Sequence, residues 1–171
     1  MARDFGAALA RSMGMSERVW ERHANPWSVW TRVPGLPLLA LALFSRAWIG
    51  WWCLAPTALV VALIWLNPRA FPPPASTRSW ASRGTFGERI WLARAQRPIP
   101  AHHARAANVL SLVMAAGMVP LVYGLVALHG WATVLGVAIV LIAKLWFCDR
   151  MVWLFDDMNR AEPRRYRGWL R

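Results

Sequence analysis

The sequence is short of the residues on which most chemistry depends. It holds two cysteines, four histidines and eight acidic residues in 171. It has no Cys-x-x-Cys pair and no Cys/His spacing suited to zinc, so Cys53 and Cys148 read as packing residues. A Gly-rich phosphate loop, a Ser-His-Asp signature and a nucleotide motif are all missing. Charged residues make up only 16%, which is low for a soluble domain. No acidic side chain interrupts the long apolar runs, so the usual mark of a proton-coupled transporter is absent. The first eleven residues offer only "FGAALA" before Arg11, shorter than the apolar core of a secretory signal.

What the chain does have is apolar and clumped. Hydrophobic residues reach 57%. "NVLSLVMAAGMVPLVYGLVAL" (108–128) and "WATVLGVAIVLIAKLWF" (131–147) each approach the roughly 20 residues that cross a bilayer core. The second carries only Lys144, near its end, where a long stem can snorkel. As one helix the stretch 33–66 would be about 51 Å long, too much for a single span of roughly 30 Å. Ser45, Arg46 and Gly50 suggest a tight polar turn within it, hence two short spans at about 34–46 and 48–66. A re-entrant segment followed by one full span is the competing reading.

Charge decides between them. Of the 20 basic residues, all but Arg46 fall in residues 1–32, 67–106 and 144–171. Two hairpins put all three segments on one face, as the positive-inside rule requires of the cytoplasm. The predicted organisation is therefore all-α and polytopic. A cytoplasmic N-terminal segment (1–32) leads into a first hairpin (33–66). A cytoplasmic loop (67–106), a second hairpin (107–147) and a basic cytoplasmic tail (148–171) follow, which makes about four transmembrane helices with short interfacial helices. The net charge of +12 follows from this topology without nucleic acid as a partner. The basic face should attract anionic lipid, at about 1 kcal/mol per well-placed Arg or Lys.

Aromatic and turn residues fit the same frame. Among 13 tryptophans, Trp48, Trp51, Trp52 and Trp131 fall at the outer ends of the spans, and Trp27, Trp30, Trp65, Trp146 and Trp153 near the inner ends. "HANPWSVWTR" (23–32) reads as punctuation: Ser16 caps a short helix, Asn25-Pro26 breaks it, and Asn25 caps the next. In the loop, "TFGE" (85–88) matches a capping box for a helix running to about Arg97. Ala116, Pro120 and Gly124 on one span, and Ala132, Gly136 and Ala143 on the next, offer small faces for close packing. Beyond Phe147, Asp149, Arg150, Asp156 and Asp157 share a polar, solvated face, with Arg160 placed to pair with Asp156.

Few side chains could do chemistry. The potential acid/base or metal groups are Glu21, His23, Glu88, His102, His103, Asp149, Asp156 and Asp157, whose segments all return to the inner surface, and His23, Glu88, His102 and His103 are the candidates for an interfacial catalytic or metal site. Such ligands suit zinc or iron. Against this, no two histidines have i, i+4 spacing, and Glu88 has a capping role open to it. Membrane di-iron desaturases need many more histidines.

"RHANPWSVWTR", "SRAWIGWW", "NPRAFPPP" and "FGERIW", in that order, resemble an uncharacterised family of small prokaryotic integral membrane proteins. The resemblance covers about residues 17–150. It implies a polytopic membrane protein and brings no activity and no catalytic residues; with the charge distribution, the expectation is a multi-pass protein of the prokaryotic inner membrane with both termini cytoplasmic. The leading expectation is a non-enzymatic accessory or scaffold protein without a cofactor. It would pack through its spans against lipid, a membrane partner or a second copy. An interfacial enzyme or metal-binding protein built on the four named residues is the alternative.

Overall fold

A computed structural model of the protein describes residues 17–171. The expected cap Ser16 lies outside them. Among the described residues every regular element is helical. Helix α1 (Glu17–His23) and helix α2 (Pro26–Trp30) are separated at Asn25, whose backbone is extended and whose side chain accepts from Trp27 N at 2.9 Å. Pro26 opens α2, where its missing N–H costs nothing. The sequence reading of this break holds.

Helix α3 (Gly35–Phe44), the short α4 (Arg46–Ile49), a 3-10 turn (Gly50–Cys53) and helix α5 (Leu54–Ala70) follow. The chain reverses at Gly50, where φ is +54°, a value that only glycine adopts cheaply. The return is close: a Cβ on Gly35 would lie 3.3 Å from Ile64 Cγ1. Arg46 stands in the tight turn that the sequence suggests and is half-buried there. It donates to Leu125 O at 3.2 Å and Val126 O at 3.0 Å. Those carbonyls end helix α7 (Ala101–Ala127), so a cation meets the negative end of a helix dipole.

Helix α7 and helix α8 (Gly130–Ala161) are joined only by Leu128 and His129. His129 Nδ1 accepts from Ala132 N at 3.2 Å and caps α8, a role the sequence reading did not give it. The two helices approach backbone to backbone. A Cβ on Gly136 would meet Leu121 N at 2.4 Å, and one on Gly124 would meet Thr133 N at 2.4 Å. Gly136 and Ala143 are buried as expected, but the facing line is Gly117, Leu121 and Gly124, with Ala116 exposed. A strict i+4 line drifts off the contact stripe of a 3.6-residue helix, which steps by three and four in turn.

Three helical stretches are long and apolar enough to cross a bilayer: Pro26–Ala70, Ala101–Ala127 and Gly130–Ala161. Length and composition thus give three where four were expected. The first is a run of shorter helices bent at Gly50, and α3 alone is only about 15 Å long. Within their most apolar windows only 6%, 22% and 22% of residues are buried inside the protein.

The packed core lies at the end remote from Gly50 and the Leu128–His129 turn. It gathers Ala24, then Phe86 and Ile90 from helix α6 (Trp80–Leu92), and Ala107 and Leu110 from α7. Phe147, Met151, Leu154, Phe155 and Met158 from α8 complete it, with Tyr166 of the short helix α9 (Pro163–Tyr166). Thr77 N donates to Arg171 O at 2.9 Å, and Arg171 N donates to Thr77 Oγ1 at 2.9 Å, which ties the tail to the loop. The described parts of the three basic segments therefore fold into one body.

Helix α6 departs from the sequence reading. It begins at Trp80, with Ser79 as its cap accepting from Ser82 N at 3.1 Å, and it ends at Leu92 rather than near Arg97. Thr85 is an interior residue that donates to Ala81 O, so there is no capping box. Its buried face is made largely of small residues: Ala81, Ser82, Gly84, Thr85 and Gly87. They let α6 press its backbone onto α8, where a Cβ on Gly87 would fall on the Met151 carbonyl. The α8 acids form a part-exposed, salt-bridged face, as the sequence suggests, but Arg160 pairs with Asp157 and not with Asp156. Asp149 accepts from Trp80 Nε1 at 3.0 Å and Asp156 pairs with Arg83 at 2.9 Å, while Arg160 reaches Asp157.

Candidate functional site

Two polar clusters hold the four candidate residues, two in each. The first is built where α1, α2, α6 and α8 meet. His23 ends α1 and is buried. Arg32 follows α2 and places Nη1 2.7 Å from His23 Nε2 and 3.0 Å from Nδ1. A guanidinium has only donors, so the imidazole must accept and be neutral. Burial and the Arg32 charge push the His23 pKa down from 6.5 to about 3. Glu88, on α6, accepts from Lys144 Nζ of α8 at 3.1 Å. Burial works against its charged form, but Lys144, then His23 and Arg32, hold its carboxyl below the usual carboxylate range.

A network of amides and hydroxyls surrounds this cluster. Arg32 Nε donates to Ser28 O at 2.8 Å, and Ser28 Oγ donates to Asn67 Oδ1 at 2.9 Å. Asn67 Nδ2 donates to Thr31 Oγ1 at 2.8 Å. Asn25 Nδ2 donates to Pro72 O at 2.9 Å, and Arg22 to Arg69 O at 3.2 Å. Three of the four stretches that carry the family resemblance thus meet here, while "SRAWIGWW" lies at the far tip. Among the described residues no hydroxyl or thiol is hydrogen-bonded to His23, and an imidazole with so low a pKa is a weak base near neutrality. The geometry is that of a lock between segments, with no paired nucleophile and base.

The second cluster joins the first turn of α7 to the last turns of α8. His103 is buried, with Nε2 2.9 Å from Asp157 Oδ2. His102 is exposed, with Nε2 3.9 Å from the same oxygen. One donor atom from each of the three residues lies within 4.8 Å of the others. Arg160 Nη1 approaches the other carboxylate oxygen, Oδ1, at 3.4 Å. His103 Nδ1 has no hydrogen-bond partner among the described residues.

The structure therefore separates His23 and Glu88 from His102 and His103. Their partners on α8, Lys144 and Asp157, are thirteen residues apart, or about 20 Å along the helix. Asp157 was read in the sequence both as part of a polar face and among the potential metal groups of the inner surface, and the structure sets it against His102 and His103. Counting outward from a turn at 128–129 sets residue 103 against the turn of α8 near 154–158, which is the signal that could have found it.

Between α7 and α8, on the outer side, runs an apolar groove of about 540 Å³. Val109, Val113, Ile142 and Trp146 line it, and Arg105 and Arg150 stand at its basic end.

Residues 5–168 match the model of a family whose description reads "Family of unknown function (DUF6653)". No curated protein and no solved structure matches the chain.

Proposed function

The chain belongs to this family of unknown function, and from that premise and its own geometry we propose that it is a non-enzymatic accessory or scaffold protein of the prokaryotic inner membrane. It crosses the bilayer as two hairpins, a short one through α3 to α5 and a long one through α7 and α8. Its packed basic end rests on anionic headgroups at the cytoplasmic face. The observation that carries this reading is the division of the molecule. Apolar helices at one end leave most of their surface bare, and nearly all the cations of the described residues gather at the other. Bare apolar helices need lipid to cover them, and clustered arginines favour the anionic, cytoplasmic side. Trp48, Trp51, Trp52 and Trp131, all strongly exposed at the tips, suit the opposite headgroup zone.

The groove between α7 and α8 supports a lipid contact. Its apolar walls suit an acyl chain, and Arg105 and Arg150 would meet a phosphate at headgroup depth. The absence of a paired nucleophile and base in the His23 cluster favours an accessory role over catalysis.

Cysteine-accessibility labelling in intact cells tests the topology. On a background with Cys53 and Cys148 replaced, cysteines at 78 and 164 are expected to be shielded from an impermeant reagent, and one at 130 to be labelled. Labelling of 78 and 164 on opposite sides would remove the two-hairpin reading.

A further inference from the structure

We propose that His102, His103 and Asp157 form a site for one zinc-class divalent cation at the basic end of the α7–α8 pair. The donor set is two imidazole nitrogens and one carboxylate oxygen, which suits zinc and neighbouring first-row metals far better than calcium or magnesium. Three protein ligands leave a coordination position open for water or a fourth group.

The geometry is near what an ion needs. Ligands about 2.0–2.1 Å from a tetrahedral zinc lie about 3.3 Å from one another. His103 Nε2 stands 2.9 Å from Asp157 Oδ2 and His102 Nε2 stands 3.9 Å from it, so each must move by about half an ångström. His102 can make that move because its side chain is 70% exposed, whereas His103 is 2% exposed and fixes the site. Arg160, on Oδ1, turns Oδ2 towards the imidazoles, the part that outer groups play around metal ligands.

Protonation fits as well. Without a cation, a proton bridges His103 Nε2 and Asp157 Oδ2. The carboxylate can only accept, so without a cation Nε2 carries the proton, and Nδ1 has no partner among the described residues. An ion bound at Nε2 takes the place of that proton, which moves to Nδ1. This site stands apart from the lipid reading above, since it depends on neither the topology nor the headgroup contact.

The test uses full-length protein in detergent with zinc alone as the probe. Wild type is expected to keep one equivalent of zinc after dialysis, and its melting temperature to rise with added zinc. His102→Ala, a change at an exposed position, is expected to lower zinc affinity at least tenfold without altering the metal-free melt. Asp157→Asn should lower the affinity likewise, with some loss in the metal-free melt because buried His103 and Arg160 lose their ion-pair partner, and His129→Ala should bind zinc as wild type does. A wild-type protein that keeps no zinc and shows no shift would overturn the site. So would zinc binding that His102→Ala leaves unchanged.

Discussion

Lys144 Nζ lies 3.1 Å from Glu88 Oε1, so the one lysine of the sequence is held by α6 instead of reaching freely for the headgroups. The pair links an otherwise apolar part of α8 to the loop helix packed against it. Both side chains keep some exposure, 45% for Lys144 and 28% for Glu88, so the bond is worth less than a fully buried one. Glu88→Gln and Lys144→Met are each expected to cost about 1–2 kcal/mol by leaving one charge unmatched. The double variant should recover most of that loss in detergent thermal melts. A double variant that loses the full sum of both would show that the two groups do not interact.

Acid should destabilise the fold through His23. Its folded pKa, about 3, lies below the ordinary 6.5, so between those values the unfolded chain binds the extra proton. Stability is then complete above about pH 6.5 and falls as pH drops, by up to about 1.4 kcal/mol per unit. Glu88 adds to the loss once pH falls into the ordinary carboxylate range, where the unfolded carboxyl takes up a proton and the folded one does not. Melts between pH 7.5 and 5 should therefore decline in wild type and flatten in His23→Gln, whose amide can still accept from Arg32. Equal slopes in the two proteins would count against a buried neutral imidazole.

The contact of α6 with α8 is set by the absence of a side chain at Gly87. A Cβ there would overlap the Met151 carbonyl, whereas one on Gly168 would meet nothing within 4 Å. Gly87→Ala is expected to cost about 1–3 kcal/mol, the range for overpacked sites. Gly168→Ala should melt with wild type. If Gly87→Ala were equally silent, the helices would not be so closely apposed.

The proposed lipid contact makes a separate prediction. Arg105→Gln with Arg150→Gln should reduce the anionic phospholipid that copurifies with the protein, and leave neutral lipid unchanged. Added salt should mimic the double variant, because screened attraction drives the contact. Lipid analysis by mass spectrometry reads this directly, and an unaltered anionic fraction in the variant would dismiss the contact.

The parts of the fold that could be read in advance were those whose cause is local. Apolar runs at 108–128 and 131–147 announced α7 and α8, and Asn25-Pro26 announced its own cap. The parts that could not be read were set by residues that look featureless. Gly84 and Gly87 count against a helix by propensity and against a buried face by hydropathy, yet they are where α6 meets α8. The pairing of Glu88 with Lys144 spans 56 residues and two separate helices, beyond the reach of a spacing rule, whereas that of His103 with Asp157 could be reached only by counting outward from the turn at 128–129. Candidate residue types were thus visible in the sequence, while their grouping depended on the register of α7 against α8.

The tie between Thr77 and Arg171 also bears on how the protein is made. Helix α6 leaves the ribosome well before the part of α8 on which it packs, and before the tail that closes the core. At about 5–20 residues per second the remaining chain takes several seconds to appear. During that interval Phe86 and Ile90 have no final partners. The α3–α5 pair, by contrast, contains both of its facing sides and can settle as soon as residue 70 emerges. Synthesis thus delivers the apolar α3–α5 pair before the loop that must wait, and a nascent chain stalled after α7 would still be open to protease between residues 71 and 100.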